Sequence, residues 1–175
     1  AMGALINHGT AVMLGGAAPM RDLNRHYSIA PYAAYRAADA VLIICAANDK
    51  LFGLVCEAIG RADLVEHPDF ATNAMRRAND DRLTEEIEQA LAAATAAEWV
   101  ERFRAAGVPA GPVNSVGEAI DWAREMGLEP TVEDPGSGYR AIRSPIRVDG
   151  QVPAECERPP AVDEHGDEIR ARFAP

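Results

Sequence analysis

Asp49 is the acid best placed to do chemistry. It follows a continuous apolar run, Val41-Leu42-Ile43-Ile44-Cys45-Ala46, and opens a helix behind the capping residue Asn48. The end of a buried strand is a common seat for a functional side chain. A carboxylate there can orient a substrate or move a proton. The competing reading is plain helix-dipole charge in a first turn. Arg140, Arg143 and Arg147 form a second cluster. On extended chain they could present guanidinium groups to phosphates, or they could be solvated charges balancing an acidic protein. Glu164-His165 has the composition of a base and its orienter. Neighbours in sequence rarely face each other, so a terminal loop of surface charge is expected instead. His8 lies in an apolar stretch and reads as a core residue.

No phosphate loop, CxxC, HExxH or nucleophile elbow is present. Cys45, Cys56 and Cys156 are odd in number and widely spaced, which excludes a disulfide ladder and a metal knuckle. They read as reduced thiols of a cytoplasmic protein. No metal and no tightly bound cofactor is expected. The chain has 175 residues and a formal net charge of −10, so a nucleic-acid footprint is not expected. No apolar run approaches the roughly 20 residues that span a bilayer, so no membrane partner is expected. Apolar residues make up 48% but aromatics only 6%. Alanine carries much of the apolar share, which predicts a thin core.

The elements that position these residues are organised around Thr95 to Ile120, TAAEWVERFRAAGVPAGPVNSVGEAI. Thr95 with Glu98 and Ser115 with Glu118 are capping boxes, so helices start at both. Gly107 ends the first helix in a left-handed C-cap. Gly107 to Val113 carries two prolines and two glycines, which forbid a helix and disfavour a central strand. An extended, rigid crossing is expected there. Tyr32–Ala37 and Val41–Ala46 read as an antiparallel hairpin whose second strand is buried on both faces. Leu51 to Ile59 forms an apolar helix face ended by Gly60. A loop from Asp63 to Asn73 holds a short helical piece near Pro68-Asp69-Phe70. Arg76 to Ala94 reads as one solvated helix, with Asp80-Asp81 and Glu85-Glu86 as surface charge. The helices from Thr95 and Ser115 are expected to complete a cluster on the hairpin. Residues 4–14 read as a helix, 20–31 as a connector, and 131–133 with 139–142 as a hairpin. Residues 149–162 read as a surface tail and 167–173 as a last helix.

In order and spacing these pieces resemble the C-terminal half of a family III CoA-transferase. That group holds the carnitine–CoA transferase and bile-acid-inducible proteins and the α-methylacyl-CoA racemases. The carrying segments are LINHGTAVMLGGAAP, SIAPYAAYRAAD, AANDKLFGLVCEAIG, HPDFATNAMRRAN, AAEWVERFRAAGVPAGPVNSVGEAI, RSPIRV and EHGDEI. The resemblance implies an α+β fold: a small domain of helices on a short antiparallel sheet, with an extended C-terminal segment. That segment would return to an α/β CoA-binding domain absent here. Residues 1–30 would be the linker, 31–125 the small domain and 126–175 the return. The chain would be a truncation behind an Ala-Met scar, or a natural start at Met2.

The resemblance also implies transfer of CoA between an acyl-CoA and a carboxylic acid, through an aspartyl intermediate on the absent half. Coenzyme A is then a substrate, and the full-length enzyme an interlocked homodimer. This chain alone should be inactive. An acyl-CoA racemase fragment and a non-catalytic subunit of a split transferase are the alternatives. Asp49 matches the position where racemases carry a substrate-facing glutamate, and Asn48-Asp49 is the more transferase-like pair. Two positions depart from the family pattern. Asp39-Ala40 stands in place of Asp-Gly in the hairpin turn, and Asp163 stands where a glycine usually precedes Glu-His.

Overall fold

A computed structural model describes residues 6–15, 24–146, 148–151 and 157–173. The chain divides into two compact units, Ala1–Val113 and Asn114–Pro175. Each is described by itself.

The first unit opens with helix α1 (Ile6–Met13). The reading of His8 as a core side chain lies outside what is described. The expected hairpin forms from β1 (Tyr32–Arg36) and β2 (Val41–Cys45), in register Tyr32↔Cys45 to Arg36↔Val41. The proline–glycine crossing does more than span a gap. Ala110–Pro112 is a third strand, β3, antiparallel to β2 and at the sheet edge. An edge tolerates Pro112 because one side of the strand need not donate to a ladder. The sheet also corrects one expectation. Leu42 and Ile44 are fully buried, but Val41 and Ile43 are 37% and 38% exposed. The β2 strand alternates instead of burying both faces, because the helices of this unit cover one side of the sheet.

Those helices follow the caps. In α2 (Asp49–Ala58), Asn48 Oδ1 accepts from the Leu51 amide at 2.9 Å, and Phe52, Val55 and Cys56 are buried. A 3₁₀ turn covers Ala62–Val65, and residues 68–70 form a turn where a helical piece was expected. The single helix expected over 76–94 is two: α3 (Asn73–Ala78), capped by Thr72, and α4 (Asp80–Leu91). Asn79 lies between them with φ −116°, outside the helical region. Its side-chain amide donates to Asp69 O at 3.2 Å and Met75 O at 3.0 Å. This local satisfaction of carbonyls is what lets the helix break. In α4, Leu83, Ile87 and Leu91 recur every four residues and face the core. In α5 (Ala96–Ala105), Trp99, Val100 and Phe103 are buried, and Trp99 Nε1 donates to Leu91 O at 2.8 Å. Asp39, the residue in the altered hairpin turn, also caps α5: its Oδ1 accepts from the Ala96 amide at 2.8 Å.

In the second unit, α6 (Val116–Glu125) carries the complete second capping box but no buried residue. The expected cluster of both capped helices on the hairpin is therefore divided between units. Strands β4 (Thr131–Glu133) and β5 (Arg140–Ile142) pair as expected across a turn. Asp134 organises that turn, accepting from the Gly136 amide at 2.9 Å. Helix α7 (Gly166–Phe173) closes the chain.

Candidate functional site

The strand-to-helix junction after β2 is built as the sequence suggests. Asn48 is the cap, so Asp49 is the first helical residue, and its side chain is 74% exposed. Behind it lies a residue with no local signal of importance. Arg76, on α3, is 1% exposed. Its Nη2 donates to Asp49 Oδ1 at 2.5 Å, its Nε to Ala30 O at 2.7 Å and its Nη1 to Phe70 O at 3.0 Å. The Phe52 ring lies under the guanidinium, 4.3 Å from its carbon to the centroid. A buried cation is tolerated when each of its nitrogens is hydrogen-bonded and a counter-charge is near. Arg76 meets both conditions. Sequence reasoning missed it because its partners stand 46, 6 and 27 residues away. Only the Arg in HPDFATNAMRRAN marks it.

A second cluster corrects the reading of Asp80 as surface charge. Asp80 is 7% exposed and pairs with Arg77, with Arg25 at 3.9 Å. Arg25 also bonds Asp81 at 2.5 Å. The nearby Tyr35 hydroxyl is buried without a hydrogen-bond partner among the described residues. Burial first, and Asp80 second, hold it protonated well above the ordinary tyrosine range.

The arginine cluster does not act as one group. Arg143 is a structural clamp: its Nε donates to Glu129 O at 3.0 Å and its Nη2 lies 3.3 Å from the Glu129 carboxylate. Arg140 is exposed and edges a cavity of about 380 Å³ with Gly117, Ile120, Arg124 and Ile142. Arg147 lies outside the described residues. The Glu164-His165 pair is not a base with its orienter. Glu164 grips Arg158 with both oxygens and accepts from the Ala161 amide at 2.6 Å. Asp163, in place of the usual glycine, has φ +63°. This is a left-handed backbone carrying a side chain, and Arg170 pairs with its carboxylate at 3.1 Å. Among the described residues no three His, Cys, Asp or Glu converge as metal ligands. No helix among them is long and apolar enough to cross a membrane.

Asp49 can therefore offer a carboxylate to solvent from a fixed base, with a charge behind it and a helix N-terminus beneath it. Comparison with known proteins gives this geometry a setting. The profile of CoA-transferase family III matches residues 2–166. Acetyl-CoA:oxalate CoA-transferase of Acetobacter aceti is 35% identical over 160 residues, 91% of this chain and 41% of that protein. Succinyl-CoA:glutarate CoA-transferase of Mus musculus is 29% identical over 80% of this chain and 33% of its own length. Among solved structures, a CAIB/BAIF family protein from Brucella suis matches with a TM-score of 0.75 and 31% identity, covering 97% of this chain and 44% of that one. Rv3272 of Mycobacterium tuberculosis matches at 0.70 and 30%, covering 94% and 43%. The chain thus spans well under half of the relatives it matches. Order, spacing, sheet and helices agree with theirs, and the chain belongs to CoA-transferase family III.

Proposed function

We propose that this chain is the small-domain and C-terminal part of an enzyme that moves CoA between an acyl-CoA and a carboxylic acid. The observation that carries this is the family match over residues 2–166. Two of the similar proteins above are named for transfer between CoA thioesters and small diacids, which favours CoA transfer over racemisation. The acceptor class is then a short dicarboxylate. Residues 1–30 serve as the linker from a large domain, 31–125 as the small domain and 126–175 as the return segment. The complete enzyme is a cytoplasmic, interlocked dimer.

In this reading the reactive aspartate belongs to the part of the family that this chain does not span. That carboxylate attacks the thioester carbonyl and expels CoA thiolate, giving a mixed anhydride. The thiolate then attacks the aspartyl carbonyl and releases the first acid, leaving an aspartyl thioester. The acceptor carboxylate reverses both steps and leaves as the new thioester. Asp49 faces the substrate and orients it without bonding to it. Of the two described members of the arginine cluster, Arg140 is the freer to meet CoA phosphates.

The test mixes purified chain with acetyl-CoA and oxalate and follows oxalyl-CoA. No turnover is expected from the chain alone. Transfer is expected once a polypeptide supplying the remaining family domain is added. Sustained turnover by the chain alone would contradict the proposal. In the complete enzyme, Asp49→Asn should impair handling of the acid substrate while leaving CoA affinity unchanged. Wild-type kinetics in that variant would remove Asp49 from the site.

A further inference from the structure

We propose that Arg76 is a positioning residue for Asp49, holding one carboxylate oxygen in place so that the other is presented to whatever enters. The functional half of this inference rests on the reading of Asp49 as substrate-facing. The geometric half stands by itself. The arginine nitrogens Nε, Nη1 and Nη2 each donate to a different segment: the connector at Ala30, the turn at Phe70 and the helix start at Asp49. Phe52 covers one face of the plane. A planar fork held at three points and stacked on a ring cannot swing. An exposed aspartate without such an anchor ordinarily samples several rotamers.

The burial of the two partners differs sharply, 1% against 74%. Were Asp49 only the counter-charge that a buried cation needs, it would be expected to sit inside with it. Instead it bridges from the interior to solvent. One oxygen is anchored to a rigid donor and the rest of the group is open. That is how a carboxylate is held ready without reorganisation when a ligand arrives. Lysine could supply the charge but not the fork, since its ammonium cannot reach the two carbonyls and Asp49 in the same plane. The connector is drawn into the same lock. Asn73 Nδ2 donates to Ser28 O at 2.8 Å, and its Oδ1 accepts from the Ala30 amide at 3.1 Å. The place of Asp49 is therefore referred to residues 28–30 as well as to its own helix.

The test reads the Asp49 side chain directly, from its Hα–Hβ couplings in the isotope-labelled chain. Wild type should show one large and one small coupling, the sign of a single rotamer. Arg76→Lys should average them while the amide shifts of β1, β2 and α5 stay in place. A single Asp49 rotamer in that variant would overturn the proposal. Should Arg76→Lys fail to fold, Asp49→Ala reads the same contact from the other side. The Arg76 Nη2 protons should then exchange at least about tenfold faster, with Nε still protected by Ala30 O. Unchanged Nη2 exchange would equally overturn it.

The kinetic consequence is tested in the complete enzyme by a double-mutant cycle. Arg76→Lys should lower kcat about tenfold or more with Asp49 present and no further in Asp49→Asn. Equal losses in both backgrounds would mean a purely structural arginine and would sink the proposal. If Arg76→Lys frees the Asp49 rotamer but neither residue alters turnover, positioning holds and the substrate-facing reading of Asp49 is what fails.

Discussion

Cys56 illustrates how a side chain's chemistry follows from what covers it. It is fully buried, and burial pushes its thiol up to about 12, opposed in part by Arg76. A thiol at that value carries almost no thiolate near neutrality and is a poor nucleophile. Iodoacetamide at pH 8, followed by mass analysis, should leave Cys56 unmodified in the folded chain and label it in urea. Glu164 moves the other way. The Arg158 guanidinium, then the Ala161 amide, hold its carboxyl down to about 2 from an ordinary 4.5. A carboxyl lowered on folding supports the folded form above its ordinary value. That support fades as pH falls from 4.5 through about 2. Carbon-detected titration should place the Glu164 midpoint near the lower figure, and Arg158→Gln should return it toward the upper one. Glu164 was legible as surface charge. The left-handed backbone of Asp163 was not read, because Asp only leans toward that conformation where Gly adopts it freely.

At the scale of elements, caps and stops were the most legible features. Both capping boxes close as read: Thr95 Oγ1 accepts from the Glu98 amide, and Ser115 Oγ from the Glu118 amide. Both glutamates answer to the cap amides at 2.9 and 2.8 Å. Their weights should differ. The Thr95 helix buries Trp99, Val100 and Phe103, whereas the Ser115 helix buries nothing. Thr95→Ala should cost about 1 kcal/mol of the main unfolding transition. Ser115→Ala should change that transition by less than about 0.5 kcal/mol. Gly107 stops α5 at φ +77° with open space where a Cβ would sit. Gly107→Ala therefore meets no clash, only the left-handed penalty of roughly 1–2 kcal/mol. Urea melts of the three variants check all of this. The break at Asn79 escaped the sequence reading because periodicity continues across it. The local carbonyl of Met75 and that of Asp69, ten residues back, accept from the Asn79 side chain and make the interruption favourable.

For the molecule as a whole, the core is unevenly shared. Among the described residues, the buried apolar side chains run from Ala30 to Val108, all in the first unit. The second unit leaves Trp122 about half exposed and Met126, Leu128 and Ile142 more than half exposed. A unit whose described residues include no buried side chain has little to offset the entropy of ordering its backbone. Ending the chain after Val113 should therefore preserve the cooperative thermal transition within a few degrees. Residues 114–175 alone should show none by circular dichroism. A sharp transition in the isolated second segment would refute this division of stability.

The amino-acid sequence by itself determined what is local: where helices begin and end, where the chain turns, and which hairpin partners pair. Caps, glycines and proline act within three or four residues, so their outcome is written beside them. It also determined the family, since order and spacing of segments survive without coordinates. Only the tertiary structure decided which charges are buried. Arg76 and Asp80 look like any solvated helix residues, and their burial follows from segments tens of residues away closing over them. Charge burial depends on every neighbour at once, and a linear pattern holds no record of which neighbours arrive.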